Sequence, residues 1–150
     1  MSPKKRKLKI DLVIPVFNEE GVLEKIHAQI CAVVDRLSHE FHFIYVDDGS
    51  DDKSVDSLLR LSKSDTRVTF FSLSSNFGHQ AALTAGIDLA SGDVVISMDA
   101  DGQHPPEMIP RLYRQAQKTG ADVVMGSRLA PGGDASSLGF TRTVISYAFQ

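Results

Sequence analysis

The feature that most narrows the folds open to this chain is a repeating rhythm: a short β-branched run, a polar loop, then apolar residues at helical spacing. The runs fall at 10–16, 41–46, 68–73, 94–98 and 122–127, each of strand length and bounded by turn-forming residues. Between the first two, Val22, Ile26, Ile30, Val33, Val34 and Leu37 predict an amphipathic helix over 20–38, with Asn18 as its cap and Glu19 and Glu20 in the first turn. Val55, Leu58, Leu59 and Leu61 mark a second helix, capped by Ser50 or Asp51. A third carries Ala81, Ala82, Ala85, Gly86 and Ala90, side chains small enough for close approach to a sheet. Pro105 and Pro106 open a fourth, with Met108, Ile109, Leu112, Tyr113 and Ala116 on its apolar positions and Gly120 at its end. Strands alternating with helices in this order predict an α/β fold whose strands pair in parallel through right-handed crossovers.

In such a sheet, ligands bind at the loops after the strands. Here those loops read Phe17-Asn18-Glu19, Asp47-Asp48-Gly49-Ser50, Asn76-Phe77-Gly78-His79, Asp99 to His104, and Ser127-Arg128. The fourth follows an apolar strand and ends it abruptly in charge. Side chains alternate along extended backbone, so Asp99 and Asp101 point the same way, and Gly102 permits the turn that returns Gln103 and His104 toward them. Two carboxylates with an amide oxygen suit a hard divalent cation, Mg²⁺ or Mn²⁺. Taken alone, an Asp-x-Asp after a strand is more commonly an acidic turn. The gathering of five polar loops at one edge is what favours a site.

Composition removes other readings. With 150 residues, 42% of them apolar and 23% charged, the chain has the makeup of one globular domain with a real core. A net charge of −3 does not suggest a nucleic-acid binder, although Lys4, Lys5, Arg6, Lys7 and Lys9 form a basic leader. That leader, residues 1–9, is expected to be a disordered, solvated tail. A nuclear-localisation-like signal or attraction to anionic lipid is the rarer use of such a segment. The single cysteine, Cys31, allows no internal disulfide and fits a reducing compartment. No apolar run reaches the ~20 residues of a membrane span, and no signal-peptide core follows the leader. The expected setting is therefore cytoplasmic, or the cytoplasmic face of a membrane in the full-length protein. The chain lacks G-x-G-x-x-G after its first strand, G-x-x-x-x-G-K-[ST] and G-x-S-x-G, the signatures of dinucleotide, P-loop and serine-hydrolase chemistry. Zinc is not expected, because the five histidines are scattered and Cys31 has no partner at ligand spacing. His27, His39 and His42 read as surface or strand-edge residues, and His79 as a loop-packing residue or a ligand.

Five motifs in order carry a resemblance: 13–20 (VIPVFNEE), 46–50 (VDDGS), 76–82 (NFGHQAA), 99–107 (DADGQHPPE) and 126–128 (GSR). From about Ile10 onward the chain resembles the family-2 inverting glycosyltransferases of GT-A fold. The branch it looks most like is the polyprenyl-phosphate sugar transferases, such as dolichyl-phosphate mannose synthases and bactoprenol glucosyltransferases. The resemblance implies a Rossmann-like, mostly parallel sheet with helices on both faces over residues 10–150, truncated at its C-terminus. Pro15, Phe17, Asn18 and Glu19 would line a nucleotide pocket, and Asp47 or Asp48 would hydrogen-bond the base or ribose. Asp99 would face a UDP- or GDP-sugar, while Asp101 and Gln103 would ligate the Mg²⁺ or Mn²⁺ that bridges its diphosphate. Arg128 and Arg142 would meet phosphate oxygens through paired hydrogen bonds. Asp99, Asp101 and Arg128 would then form the catalytic set.

The expected reaction is transfer of a sugar to a polyprenyl phosphate, with peripheral contact with a membrane and a place in building the cell envelope. A lipid phosphate is largely ionised at neutral pH, its second pKa being about 6, so it needs no strong general base. Transfer to a sugar hydroxyl, as in polysaccharide synthesis, is the alternative, and it would need one. A third reading is a catalytically weak fragment that binds nucleotide only.

Overall fold

The computed structural model describes residues 7–126. The chain divides into two compact units at Pro110–Arg111. In the first, β1 (Lys9–Val16), α1 (Leu23–Val34), β2 (Glu40–Asp47), α2 (Ser54–Ser64), β3 (Val68–Ser72), α3 (His79–Leu89) and β4 (Val94–Ser97) follow one another in the expected alternation. All pairings are parallel: β1 with β2 from Lys9↔Glu40 to Val16↔Asp47, β2 with β3 from Phe43↔Val68, and β1 with β4 from Ile10↔Val94. The order is β3-β2-β1-β4. The chain thus winds outward from β1 through β2 to β3, then crosses back to the other side of β1. Right-handed crossovers put α1 and α2 on one face and α3 on the other.

Period-two alternation divides the core between those faces. Val13, Ile44 and Val46 meet Ala82 of α3 in one buried cluster, while Phe43 and Tyr45 point the other way, where His27 of α1 packs edge-on against Phe43 with ring centroids 5.0 Å apart. The small residues of α3 are explained by distance. A Cβ on Gly86 would stand 2.3 Å from Val13 Cγ1, so any other residue would push the helix off the sheet.

Several boundaries differ from expectation. β1 begins at Lys9, and Lys7 pairs with Glu40 at 3.1 Å, so the last residues of the basic leader belong to the fold. α1 is shorter at both ends than the expected 20–38, because residues 19–22 make a turn (Val22 N–H to Glu19 O, 3.1 Å) and Leu37 N–H closes a three-residue turn on Val34 O. Asn18 does not cap it. Its φ is +55 and its side chain reaches the next loop instead. Nor do Ser50 or Asp51 cap α2, for Asp52 Oδ1 accepts the Ser54 N–H at 2.8 Å.

The described part of the second unit holds most of α4 (Met108–Thr119), which begins three residues after Pro105 and is followed by Gly120. Its Gln117 side-chain amide donates to Tyr113 Oη at 2.6 Å. Residues 122–126, expected to open a fifth strand, pair with none of the described strands. Ser127, Arg128, the glycine-rich loop at 131–133, Arg142 and residues 1–6 of the leader lie outside the described residues.

Candidate functional site

The return of the chain across β1 leaves a crevice beyond the strand ends between β1 and β4, the place where open α/β sheets bind ligands. The loop after β1 is stitched to the loop after β2. Asn18, Glu19 and Glu20 N–H donate to Ser50 Oγ (2.9 Å), Ser54 Oγ (2.8 Å) and Asp52 Oδ2 (3.1 Å), and in return Asp51 and Lys53 N–H donate to Asn18 Oδ1 (3.0 Å) and Glu20 Oε2 (2.7 Å). Five bonds running both ways hold two loops that lack regular structure.

The loop after β3 is held by one carboxylate. Asp48, 3% exposed, accepts the Phe77 N–H on Oδ1 (2.8 Å) and the Gly78 N–H on Oδ2 (2.9 Å). The chains cross so closely here that a Cβ on Gly49, itself at φ +69, would stand 2.4 Å from the Ser75 carbonyl carbon. Asp47 is fully buried and spends both oxygens internally, Oδ2 on the Ser72 hydroxyl (2.6 Å) and Oδ1 on the Ser50 N–H (3.2 Å).

Together these loops enclose a cavity of about 290 Å³. Pro15, Phe17 and Glu19 line it from β1, Asp48 from β2, Asn76, Gly78 and His79 from the loop into α3, and Asp99 and Asp101 from β4. The expected nucleotide residues Pro15, Phe17, Glu19, Asp48 and Asp99 are therefore brought together with the expected metal ligand Asp101. Asn18 and Asp47 are not on the wall; they act on the loops behind it. Arg128 and Arg142 lie outside the described residues.

The carboxylates in this cavity are arranged unequally. Asp101 Oδ1 accepts the Gln103 N–H at 2.8 Å across a turn that Gly102 makes at φ +75. Asp99 lies between two histidines, with Oδ1 3.5 Å from His79 Nε2 and Oδ2 3.6 Å from His104 Nδ1. The Asp99 N–H donates to His104 Nδ1 at 3.1 Å, which fixes that nitrogen as an acceptor. Motif spacing alone did not reveal this bracket; the fold brings His79 from the start of α3. Glu19 has its carboxyl pushed above the ordinary range, first by burial and then by the charges of Asp101 and Asp52. Four carboxylates and no lysine or arginine line the cavity among the described residues. Oxygen donors of this kind fit Mg²⁺ or Mn²⁺, and such a cation would offset the charge of a diphosphate at this wall.

A second group of ionisable residues lies at the other end of the sheet. His27, expected at the surface or a strand edge, is 6% exposed, because α1 lays its ring on β2. His42 is at the surface, its Nε2 2.9 Å from Thr69 Oγ1. Cys31, which has no partner by motif spacing, is brought beside both His27 and Asp65. The signal was present as His27-x-x-x-Cys31, one helical turn apart on α1.

Residues 11–147 match glycosyl transferase family 2. Among curated relatives, an undecaprenyl-phosphate 4-deoxy-4-formamido-L-arabinose transferase of Pseudomonas fluorescens is 45% identical over 116 residues, covering 77% of this chain and 34% of the relative. An uncharacterized glycosyltransferase of Bacillus subtilis, YkcC, is 37% identical over 129 residues, covering 86% and 40%. The chain spans 34–42% of the length of these first relatives. Among solved structures, S. aureus TarS 1-349 in complex with UDP superposes with a TM-score of 0.65 at 18% identity, over 82% of this chain and 40% of that one. Glucosyl-3-phosphoglycerate synthase from Mycobacterium tuberculosis, in complex with Mn²⁺, UDP and phosphoglyceric acid, gives 0.57 at 25% identity, over 71% and 38%.

Proposed function

The chain belongs to glycosyl transferase family 2, and from that premise we propose that it is the donor-binding part of an enzyme that moves a sugar from a nucleoside diphosphate to a polyprenyl phosphate with inversion. The observation that carries the reading is the cavity at the strand ends, where Glu19, Asp48, Asp99 and Asp101 meet without a lysine or arginine among the described residues. The acceptor class is supported by the undecaprenyl-phosphate transferase from Pseudomonas fluorescens.

In this reading Pro15, Phe17 and Glu19 hold the nucleotide. Asp48 shapes the same wall by fixing the Phe77–Gly78 backbone, and Asn18 and Asp47 brace the loops from behind. Asp101 and Gln103 hold a Mg²⁺ or Mn²⁺. That ion supplies stabilisation of the negative charge that develops on the departing diphosphate. Asp99 faces the sugar, oriented by the His104 ring that accepts its N–H. Arg128 and Arg142 are assigned to phosphate oxygens. A phosphate oxygen of the acceptor forms the new bond to the anomeric carbon as the bond to the diphosphate breaks, and no side chain need remove a proton. Where the acceptor is a lipid, the full-length protein works at a membrane surface. Among the described residues no helix is long and apolar enough to cross one.

Calorimetry of the chain with UDP and with GDP, each with and without Mn²⁺, tests donor binding. Binding that needs Mn²⁺ is expected, and silence with both nucleotides would sink the reading. Asp101→Ala should weaken it by about a hundredfold, roughly 2.7 kcal/mol, with thermal stability within about 0.5 kcal/mol of the parent because the residue is exposed. For the acceptor, the full-length protein is given labelled nucleotide-sugar with polyprenyl phosphate or an oligosaccharide. Label only on the oligosaccharide would overturn the acceptor assignment.

A further inference from the structure

At the end of the sheet away from the cavity, the geometry points to a site for one thiophilic divalent cation, Zn²⁺ in class, formed by His27 Nε2, Cys31 Sγ and Asp65 Oδ2. The three atoms all lie within 4.8 Å of one another. The histidine nitrogen is 3.3 Å from the carboxylate oxygen and 3.5 Å from the sulfur, and sulfur and oxygen are 3.8 Å apart. In a tetrahedron with Zn–N and Zn–O near 2.0–2.1 Å and Zn–S near 2.3 Å, the corresponding edges are about 3.3, 3.5 and 3.5 Å. One face of that tetrahedron therefore stands already built, within about 0.3 Å.

The surroundings fit a ligand set. His27 and Cys31 are one turn apart on α1, so a rigid element fixes two of the three donors. His27 Nδ1 lies 3.0 Å from Tyr45 Oη, the kind of outer partner that sets the tautomer and leaves Nε2 for the metal. Mixed nitrogen, sulfur and oxygen donors, three from protein with a fourth position open, select zinc over Mg²⁺ or Mn²⁺. Asp35 and Arg67 line a groove at the surface beside the cluster, which gives an approach from solvent.

Arg67 is the competitor. Its Nη2 is 2.7 Å from Asp65 Oδ2 and 3.4 Å from Cys31 Sγ, so in the metal-free protein the guanidinium supplies the positive charge. It must draw back for an ion to enter. It has other holds: Nη1 is 2.6 Å from Asp35 Oδ1 and Nε is 3.0 Å from Asp65 Oδ1. With the thiolate, Asp65 and Asp35 set against Arg67 and a divalent ion, the loaded cluster is neutral. A cation binds the thiolate, so loading expels the Cys31 thiol proton.

The test uses Co²⁺ on the full chain, prepared reduced and metal-free. Cys31 is the only cysteine in the sequence, so a thiolate-to-cobalt charge-transfer band can come from nowhere else, and no variant is needed to assign it. One equivalent of Co²⁺ is expected to produce that band in the near ultraviolet together with the intense visible bands of four-coordinate cobalt. Zn²⁺ should bleach both and raise the melting temperature. Asp101→Ala should leave the signal unchanged, and His27→Gln should lower Co²⁺ affinity at least about tenfold. A titration that ends with only the weak bands of octahedral cobalt would overturn the proposal. So would a charge-transfer band that His27→Gln leaves at full affinity.

Discussion

The two ends of one sheet treat negative charge in opposite ways. Where β3 begins, Asp65 meets Arg67 through Nε and Nη2, the same arginine reaches Asp35, and its guanidinium carbon sits 5.1 Å from the Phe43 ring centroid. At the same end, Asp11, 3% exposed, accepts the Ser91 and Gly92 N–H at 2.6 and 2.8 Å and so holds the turn into β4. These carboxylates are compensated from within. Where the strands end, Glu19, Asp99 and Asp101 face a cavity whose described wall has no lysine or arginine. The difference separates carboxylates that brace the fold from carboxylates left crowded at the cavity: a paired carboxylate is pulled down in pKa, and a crowded one is pushed up. Asp65 is held down to about 2, chiefly by its hydrogen bonds with Arg67, whereas Glu19 is raised.

Asp48 belongs to both classes, since it lines the cavity yet has two backbone N–H groups as partners. Breaking it should have the largest effect. Asp48→Ala orphans the Phe77 N–H and leaves the Gly78 N–H only Asn76 Oδ1 at 3.0 Å, and should cost about 2 kcal/mol of stability, together with most of the nucleotide affinity. Asp48→Asn keeps one acceptor and should lose roughly half as much stability. Urea unfolding of the three proteins reads the first number and calorimetry the second. A stable Asp48→Ala that binds nucleotide normally would show that the 77–78 backbone needs no anchor.

Asp65 sharpens the other side of the comparison. In metal-free buffer, Asp65→Asn should destabilise by about 1 kcal/mol at pH 7, as expected for a partly screened pair, and should leave nucleotide binding alone. The carboxyl titrates near 2 in the fold against 3.8 ordinarily. Its contribution is therefore complete above about pH 4 and is lost as pH falls through 2. Parent and variant should converge over that window in acid-unfolding curves. A gap that persists at pH 2 would place the effect in packing rather than in charge.

Much of this was legible in the residues, because the relevant signals were local. β-branched runs located four strands, the small-residue stripe on α3 announced the approach now explained by Gly86 against Val13, and acidic strand ends announced the cavity. What stayed hidden depends on which loop meets which. Asn18 has the chemistry of a helix cap, but the loop after β2 lies beside it and its side chain pairs there. Asp47 and Asp48 are adjacent and identical, and only strand alternation with the position of β3 sends one inward to Ser72 and the other to the loop at the cavity. Spacing gives Cys31 no partner, because Asp65 lies 34 residues beyond it. The strand order itself, with β4 returning beside β1, is a tertiary choice that alternation of elements leaves open.

Glu19 gives the smallest and most discriminating test. Because its carboxyl is raised above the ordinary 4.5 by burial and by Asp101 and Asp52, the fold holds its proton more tightly than the unfolded chain does. Stability tied to this group is thus fully present below pH 4.5 and is lost as pH rises through the folded value. Glu19→Gln removes that loss and should stabilise the metal-free protein by a few tenths of a kcal/mol at pH 7, an effect reduced by solvent screening, with no gain at pH 4. Mn²⁺ should do the same for the parent, because a cation at Asp101 relieves the repulsion. It should do less for Glu19→Gln, where less repulsion remains. Melting temperatures of both proteins at pH 4 and pH 7, each with and without Mn²⁺, give the cycle. Equal Mn²⁺ shifts in parent and variant at pH 7 would mean that the ion binds away from Glu19, and the cavity would then lose its claim to hold Mg²⁺ or Mn²⁺.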